Sequence, residues 1–122
     1  MKETCEVSYH LYFLQVEQSD KEVKIVFIYK ATSKTTNKVY IGLSTQTLEK
    51  RISQHNSHAF GHQRKYHFHC ALRKYGADDF IYEIIEDNIP TFEFLKEREK
   101  YWIKYYNSYY NGYNSTFGGE GK

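Results

Sequence analysis

Two runs rich in β-branched and aromatic residues, Val23 to Ala31 and Val39 to Leu43, are separated by the polar stretch Lys34 to Lys38, and this constrains the fold more than any other feature. Residues of that kind favour extended backbone, and Asn37 suits a turn. A β-hairpin is the natural consequence, and it sets Tyr29 near Tyr40. Gly42, at the end of the returning strand, suits a place where another group comes close to the backbone.

Local signals organise the rest of the chain. Ser44 or Thr45 can cap a helix that carries Glu49 near its positive end, and Leu48 and Ile52 define its buried face. Arg51 and His55 flank that face, four residues apart. Phe68, Leu72 and Tyr75 predict a second helix, which Gly76 terminates. Asp78-Asp79 leads into Phe80 to Ile85, a run dense enough in Ile, Phe and Tyr to be a central strand. After Pro90, Thr91 can cap a third helix with Leu95, Trp102, Ile103 and Tyr106 on its core stripe. Near the N-terminus Tyr9, Leu11 and Phe13 alternate as in a half-buried strand, with a polar turn at Gln18-Ser19-Asp20-Lys21. Asn111-Gly112 marks a late turn, and Tyr113-Asn114 is expected to start a last short strand. The fold class is α+β: a small, mostly antiparallel β-sheet flanked by three helices, with an extra N-terminal strand.

A chain of 122 residues suits one compact domain. Its 17 Lys and Arg against 15 Asp and Glu leave a formal net charge of +2, so any basic surface for nucleic acid must be local. Thirteen tyrosines and eight phenylalanines could stack on bases, although tyrosine is equally at home at the rim of a core. Cys5 and Cys70 lie far apart, which indicates neither a disulfide framework nor a Cys-x-x-Cys metal knuckle. A reducing, cytoplasmic setting fits. No segment approaches the roughly 20 apolar residues of a membrane span.

Several polar residues stand where chemistry could use them. Glu99 falls on the apolar stripe of the third helix, four residues after Leu95 and three before Trp102. A carboxylate turned toward a core is costly unless paired or metal-bound. It is either functional or a boundary residue paired with Arg98 or a nearby lysine. Arg51 offers a planar guanidinium that can hold two phosphate oxygens, or is a solvated charge. Tyr29 and Tyr40 are candidate phenols, or ordinary cross-strand aromatics. Five histidines crowd residues 55 to 69 next to Cys70, but their spacing fits no standard zinc site.

The motifs Phe27-Ile28-Tyr29, Tyr40-Ile41-Gly42, Leu48-Glu49-Lys50-Arg51-Ile52 and Glu97-Arg98-Glu99-Lys100-Tyr101-Trp102, taken in order, resemble the GIY-YIG nuclease domain, with Phe27 in place of the first glycine. The resemblance covers residues 25 to 119, and its later part looks most similar to phage and intron-type homing endonucleases. It implies an N-terminal extension over 1–24, a nuclease domain over 25–119 and a flexible C-terminus over 120–122. It further implies a DNA endonuclease that hydrolyses phosphodiester bonds with Mg²⁺ or Mn²⁺ on Glu99. A DNA-binding or regulatory module that keeps the fold without turnover is the alternative, and the intact Tyr29, Tyr40, Arg51, Glu99 set argues against it.

The same resemblance implies roles for single residues. Arg51 stabilises the transition state, Tyr29 is nearest the attacking water and Tyr40 is its positioning partner. His55 helps at the active site, Asn114 lies near the metal, and Gly42 is the motif's final glycine. Lys50, Arg64, Lys65, Arg73 and Lys74 are the candidate DNA contacts, and His62 or His67 matches a further family histidine on DNA. The expected partner is DNA, bound by a monomer or a transient dimer, with neither a membrane nor a small-molecule cofactor involved.

Overall fold

The computed structural model describes residues 26–118. The expected N-terminal strand at Tyr9 to Phe13 and the C-terminal residues 120–122 lie outside them. Strands β1 (Phe27–Ser33) and β2 (Val39–Ser44) form the hairpin, with Tyr29 opposite Gly42 and Ala31 opposite Tyr40. Asn37 takes the left-handed conformation at φ 65°, which its short polar side chain tolerates in a tight connection. Strand β3 (Phe80–Asp87) pairs antiparallel with the other side of β1, giving the order β2-β1-β3. The hairpin tip is tied to this strand by Asp79, whose carboxylate accepts the Ser33 and Thr35 hydroxyls at 2.5 and 2.7 Å.

Among the described strands β1 is therefore central, and the run Phe80 to Ile85 is an edge. Phe27, Ile28 and Tyr29 are buried in succession, as a strand covered on both faces requires, whereas Ile81 and Ile84 of β3 stay exposed. Density of β-formers reports extended backbone and says little about position in a sheet.

Helix α1 (Leu48–Asn56) is capped by Thr47, whose hydroxyl accepts the Lys50 N–H. Neither of the two expected residues does this, because the Ser44 hydroxyl instead closes a turn with the backbone of Gln46. The buried residue of α1 is His55, with Leu48 and Ile52 only half covered, so the helix meets the sheet through its last turn. A π-helical turn, Ser57–Gly61, continues it and leads to α2 (His67–Tyr75), which ends at Gly76 with φ 94°. A short 3₁₀ turn, Ala77–Asp79, enters β3. Helix α3 (Phe92–Tyr106) begins at Thr91, which accepts the Phe94 N–H at 3.0 Å, and α4 (Ser108–Asn111) follows it.

Both faces of the sheet are covered. On one, Ala31 packs with Ala59, Phe68, Ala71, Leu72 and Phe80 under α2. On the other, Ile28 and Ile41 pack with Ile89, Leu95 and Ile103 under α3. The expected strand at Tyr113-Asn114 does not form. Tyr113 N–H donates to the Val39 carbonyl at 2.9 Å as a ladder would, but the next rung is made by a side chain: the Asn114 amide accepts the Ile41 N–H and donates to the Ile41 carbonyl, both at 2.8 Å.

Gly42 lies directly beneath the Tyr29 ring. A Cβ there would stand 2.4 Å from the ring's Cζ and hydroxyl oxygen, and the fully buried ring has nowhere to retreat. Gly42→Ala is expected to cost about 1–3 kcal/mol, the usual range for overpacking a core. Urea unfolding measures it, and an unchanged midpoint would show that the ring can move.

Candidate active site

The residues that carry the sequence motifs meet at the β2 side of the sheet. A cleft of about 340 Å³ is lined by Tyr40 from β2, Arg51 and His55 from α1, Glu99 from α3 and Asn114 from the C-terminal loop, with Arg64 and His69 also on its wall. Strand β2, helices α1, α2 and α3, the loop carrying Arg64 and the C-terminal loop all converge there. Glu99 reaches it although α3 covers the opposite face of the sheet, because the helix runs against edge strand β2.

Tyr29 does not line the cleft. It is fully buried behind Tyr40, the two ring centroids 6.1 Å apart, and its hydroxyl bonds His55 Nε2 at 2.5 Å. The register puts both tyrosines on one face of the hairpin, but β1 is central and β2 is the edge, so only Tyr40 reaches the cavity. That reverses the order of the two phenols expected from the motif. Tyr40 is held by stacking on Phe68, with centroids 4.2 Å apart and planes within 5°. Burial lifts both phenols above the ordinary tyrosine range. For Tyr40 the Arg51 charge opposes the shift and the Glu99 carboxylate adds to it.

Arg51 is held in place by a relay that its sequence context did not reveal. Its Nη1 donates to Gln54 Oε1 at 3.0 Å, and Gln54 in turn donates to Gln46 Oε1 at 2.7 Å. Gln54 lies one helical turn from Arg51, which is the signal that could have found it. On α3, Arg98 pairs with Glu86 at 2.8 Å and Lys100 with Glu97 at 3.2 Å. Glu86 also accepts the Trp102 indole N–H at 2.8 Å, fixing α3 to the end of β3.

Asn114 is a brace for the site. Its Oδ1 accepts from both Ile41 N–H and the Ser108 hydroxyl, which engages both lone pairs, and no lone pair of that oxygen is left for a metal. By pinning the loop to β2 it brings Ser115 and Thr116 to the cleft rim, where Ser115 accepts the His67 N–H.

The cationic residues divide by role. Arg64 lines the cleft, and Lys50, Lys65 and Lys74 are exposed on or beside α1 and α2. Arg73 is occupied internally, its Nη1 donating to the carbonyls of Ala59 and Arg64 at 2.9 and 2.8 Å. It thereby clamps the π-helical turn to the loop that carries Arg64. His62 and His67 are exposed, and sequence reasoning gave no role to His58 and His69, which face the cleft. Among the described residues no group of three His, Cys, Asp or Glu side chains could hold a metal ion, and Cys70 is exposed.

The GIY-YIG catalytic domain model matches residues 25–114. The chain belongs to the GIY-YIG family. It is a nuclease domain, and its three-stranded antiparallel sheet with flanking helices is the GIY-YIG fold. It is similar to the catalytic domain of the intron endonuclease I-TevI in a point-mutant form, at 29% identity and a TM-score of 0.68, over 77% of this chain and 95% of that one. A second structure, the catalytic domain of the homing endonuclease I-TevI, gives 29% identity and a TM-score of 0.66 over 75% and 98%. No curated protein sequence matches the chain.

The GIY-YIG site carries two histidines that are neutral when folded. Burial, then Arg51, His69 and His58, hold His55 down to about 2, and burial with the neighbouring positive groups holds His69 at about 4. Unfolded, each protonates near pH 6.5. The folded protein binds fewer protons below that pH, so their contribution to stability is fully present above about pH 6.5 and is lost as the pH falls through 4 toward 2. Urea midpoints are expected to fall steadily between pH 7 and pH 4.5. A flat profile would show that these imidazoles protonate as readily in the fold as outside it.

Proposed function

We propose that this GIY-YIG domain is a divalent-metal-dependent DNA endonuclease that hydrolyses phosphodiester bonds by attack of water on phosphorus. The observation that carries the reading is the convergence of Arg51, Glu99 and Tyr40 on one cleft. Arg51, held by Gln54, presents a planar cation to the non-bridging oxygens, where negative charge grows in the transition state. Tyr40 lies at the cleft wall and orients the water through its hydroxyl oxygen. Burial holds the phenol protonated and Arg51 works against that, so the hydroxyl gives up its proton only with cationic help, and its ionised form accepts the water's proton as the new P–O bond forms and the bond to the leaving sugar oxygen breaks.

The donor set fits a hard, hydrated cation. Glu99 is the one carboxylate lining the cleft among the described residues, which suits an ion that keeps most of its waters and takes substrate oxygens. It does not suit a tetrahedral zinc site, which needs three or four protein ligands. Mg²⁺ or Mn²⁺ on Glu99 would supply electrophilic stabilisation of the leaving oxygen.

Plasmid nicking with Mg²⁺ and with chelator tests the reading. Glu99→Gln is expected to abolish cleavage and leave DNA binding nearly intact, because the lost interaction acts on the transition state. Arg51→Ala should lower the rate by on the order of 10² or more, as for loss of a preorganised charge donor. Cleavage at the original rate in the Glu99 variant would move the metal elsewhere.

DNA binding by this domain should be weak and indifferent to sequence. With a net charge of +2 over the full chain and Arg73 engaged internally, the protein neutralises about 3 to 5 phosphates, giving a log-log salt slope of about −3 to −4. Affinity measured across a salt series on unrelated duplexes checks this. Tight binding to one duplex at physiological salt would reveal base readout within the domain.

A further inference from the structure

We propose that His69 is a positioning residue of this site: through His55 and Tyr29 it directs a chain of donated hydrogen bonds toward the oxygen of Tyr40. The inference rests on the nuclease reading above, and its geometry is measurable without DNA or metal. Tyr29 Oη lies 2.5 Å from His55 Nε2, and His55 Nδ1 lies 3.1 Å from His69 Nε2. The three residues are 0%, 3% and 5% exposed, so water does not interrupt the chain. At the far end His69 Nδ1 is buried with no hydrogen-bond partner among the described residues.

A neutral imidazole has one N–H, so each histidine in such a chain donates at one nitrogen and accepts at the other. Only two directions are then consistent. If Tyr29 donates to His55 and His55 to His69, the last proton sits on His69 Nδ1 as a buried N–H with no acceptor. If His69 donates to His55 and His55 to Tyr29, Nδ1 keeps only an unused lone pair. Orphaned buried N–H groups are the rarer and costlier of the two defects. The chain therefore runs from His69 Nε2–H to His55 Nδ1, and from His55 Nε2–H to Tyr29 Oη.

With its oxygen already accepting from His55, the Tyr29 hydroxyl turns its own proton toward Tyr40, whose ring packs against it. The Tyr40 oxygen receives a donor from below, and its remaining direction faces the cleft. Burial, the dominant influence, and the Glu99 carboxylate keep the Tyr40 phenol protonated; that donor and Arg51 both work against them. No proton is transferred along the chain; its work is to fix which way each group points.

Imidazole ¹⁵N–¹H long-range correlation on the full chain, free of DNA and metal, reads the tautomers directly. His55 and His69 are both expected to carry the proton on Nε2, and a proton on His55 Nδ1 would overturn the proposal. In nicking kinetics with Mg²⁺, His69→Leu is expected to lower kcat about tenfold, the worth of one buried hydrogen bond, with KM little changed. His69→Gln, whose amide can still donate to His55 Nδ1, should restore most of the loss. A folded His69→Leu protein with the original kcat, or a Gln variant as impaired as the Leu variant, would also overturn it. If the unaltered protein does not cleave DNA at all, the nuclease mechanism fails, and the tautomers still decide the direction of the chain.

Discussion

The site depends on the contact between Tyr29 and Gly42. The strand register places the ring over the one residue that offers no Cβ, and the ring lies flat enough against the backbone for its hydroxyl to reach His55. A buried phenol needs a partner, and finding it on α1 fastens that helix to the sheet. Arg51 sits one helical turn before His55, so its position is set by the same bond. Tyr40, two residue pairs along the hairpin, is then clamped between Tyr29 and Phe68.

The edge of the sheet imposes the second constraint. Strand β2 would present unpaired backbone groups to solvent, an invitation to pairing with another chain. Tyr113 and Asn114 cover them, the first by its backbone N–H and the second by its side-chain amide. Covering the edge also shapes the cleft, because the loop that caps β2 is the loop that brings Ser115 and Thr116 next to Glu99 and Tyr40. Stability and site construction share the same three hydrogen bonds.

What the sequence disclosed follows from the range of each signal. The hairpin, α2 with its terminating Gly76 and α3 with its Thr91 cap rest on periodicity and local hydrogen bonding, and they stand where those rules place them. The family's motif residues were legible through order and spacing. Depth was not. Nothing local distinguishes the central strand β1 from its neighbours β2 and β3, so the pattern does not show that Tyr40, and not Tyr29, reaches the cleft, whereas the resemblance places Tyr29 nearest the water with Tyr40 as its positioning partner. The burial of His55 was hidden for a different reason, since hydropathy argues against burying a histidine and its partners Tyr29 and His69 make burial tolerable. The motif places Asn114 near the metal, and only three-dimensional pairing with Ile41 and Ser108 assigns its oxygen.

Charge economy explains why the cleft wall uses neutral imidazoles. A protonated His55 or His69 would place a second positive charge beside Arg51, and that repulsion is among the causes that keep both neutral. Arg73 and Arg98 are directed to carbonyls and to Glu86, away from the cleft. In a chain of net charge +2 the field in the cleft is therefore built from position rather than quantity, with Arg51 anchored by Gln54 and Arg64 on the cleft wall. Such a site gains little from long-range attraction and much from preorganisation, which is why its hydrogen-bonded supports reach through Tyr29 and His55 into the centre of the fold.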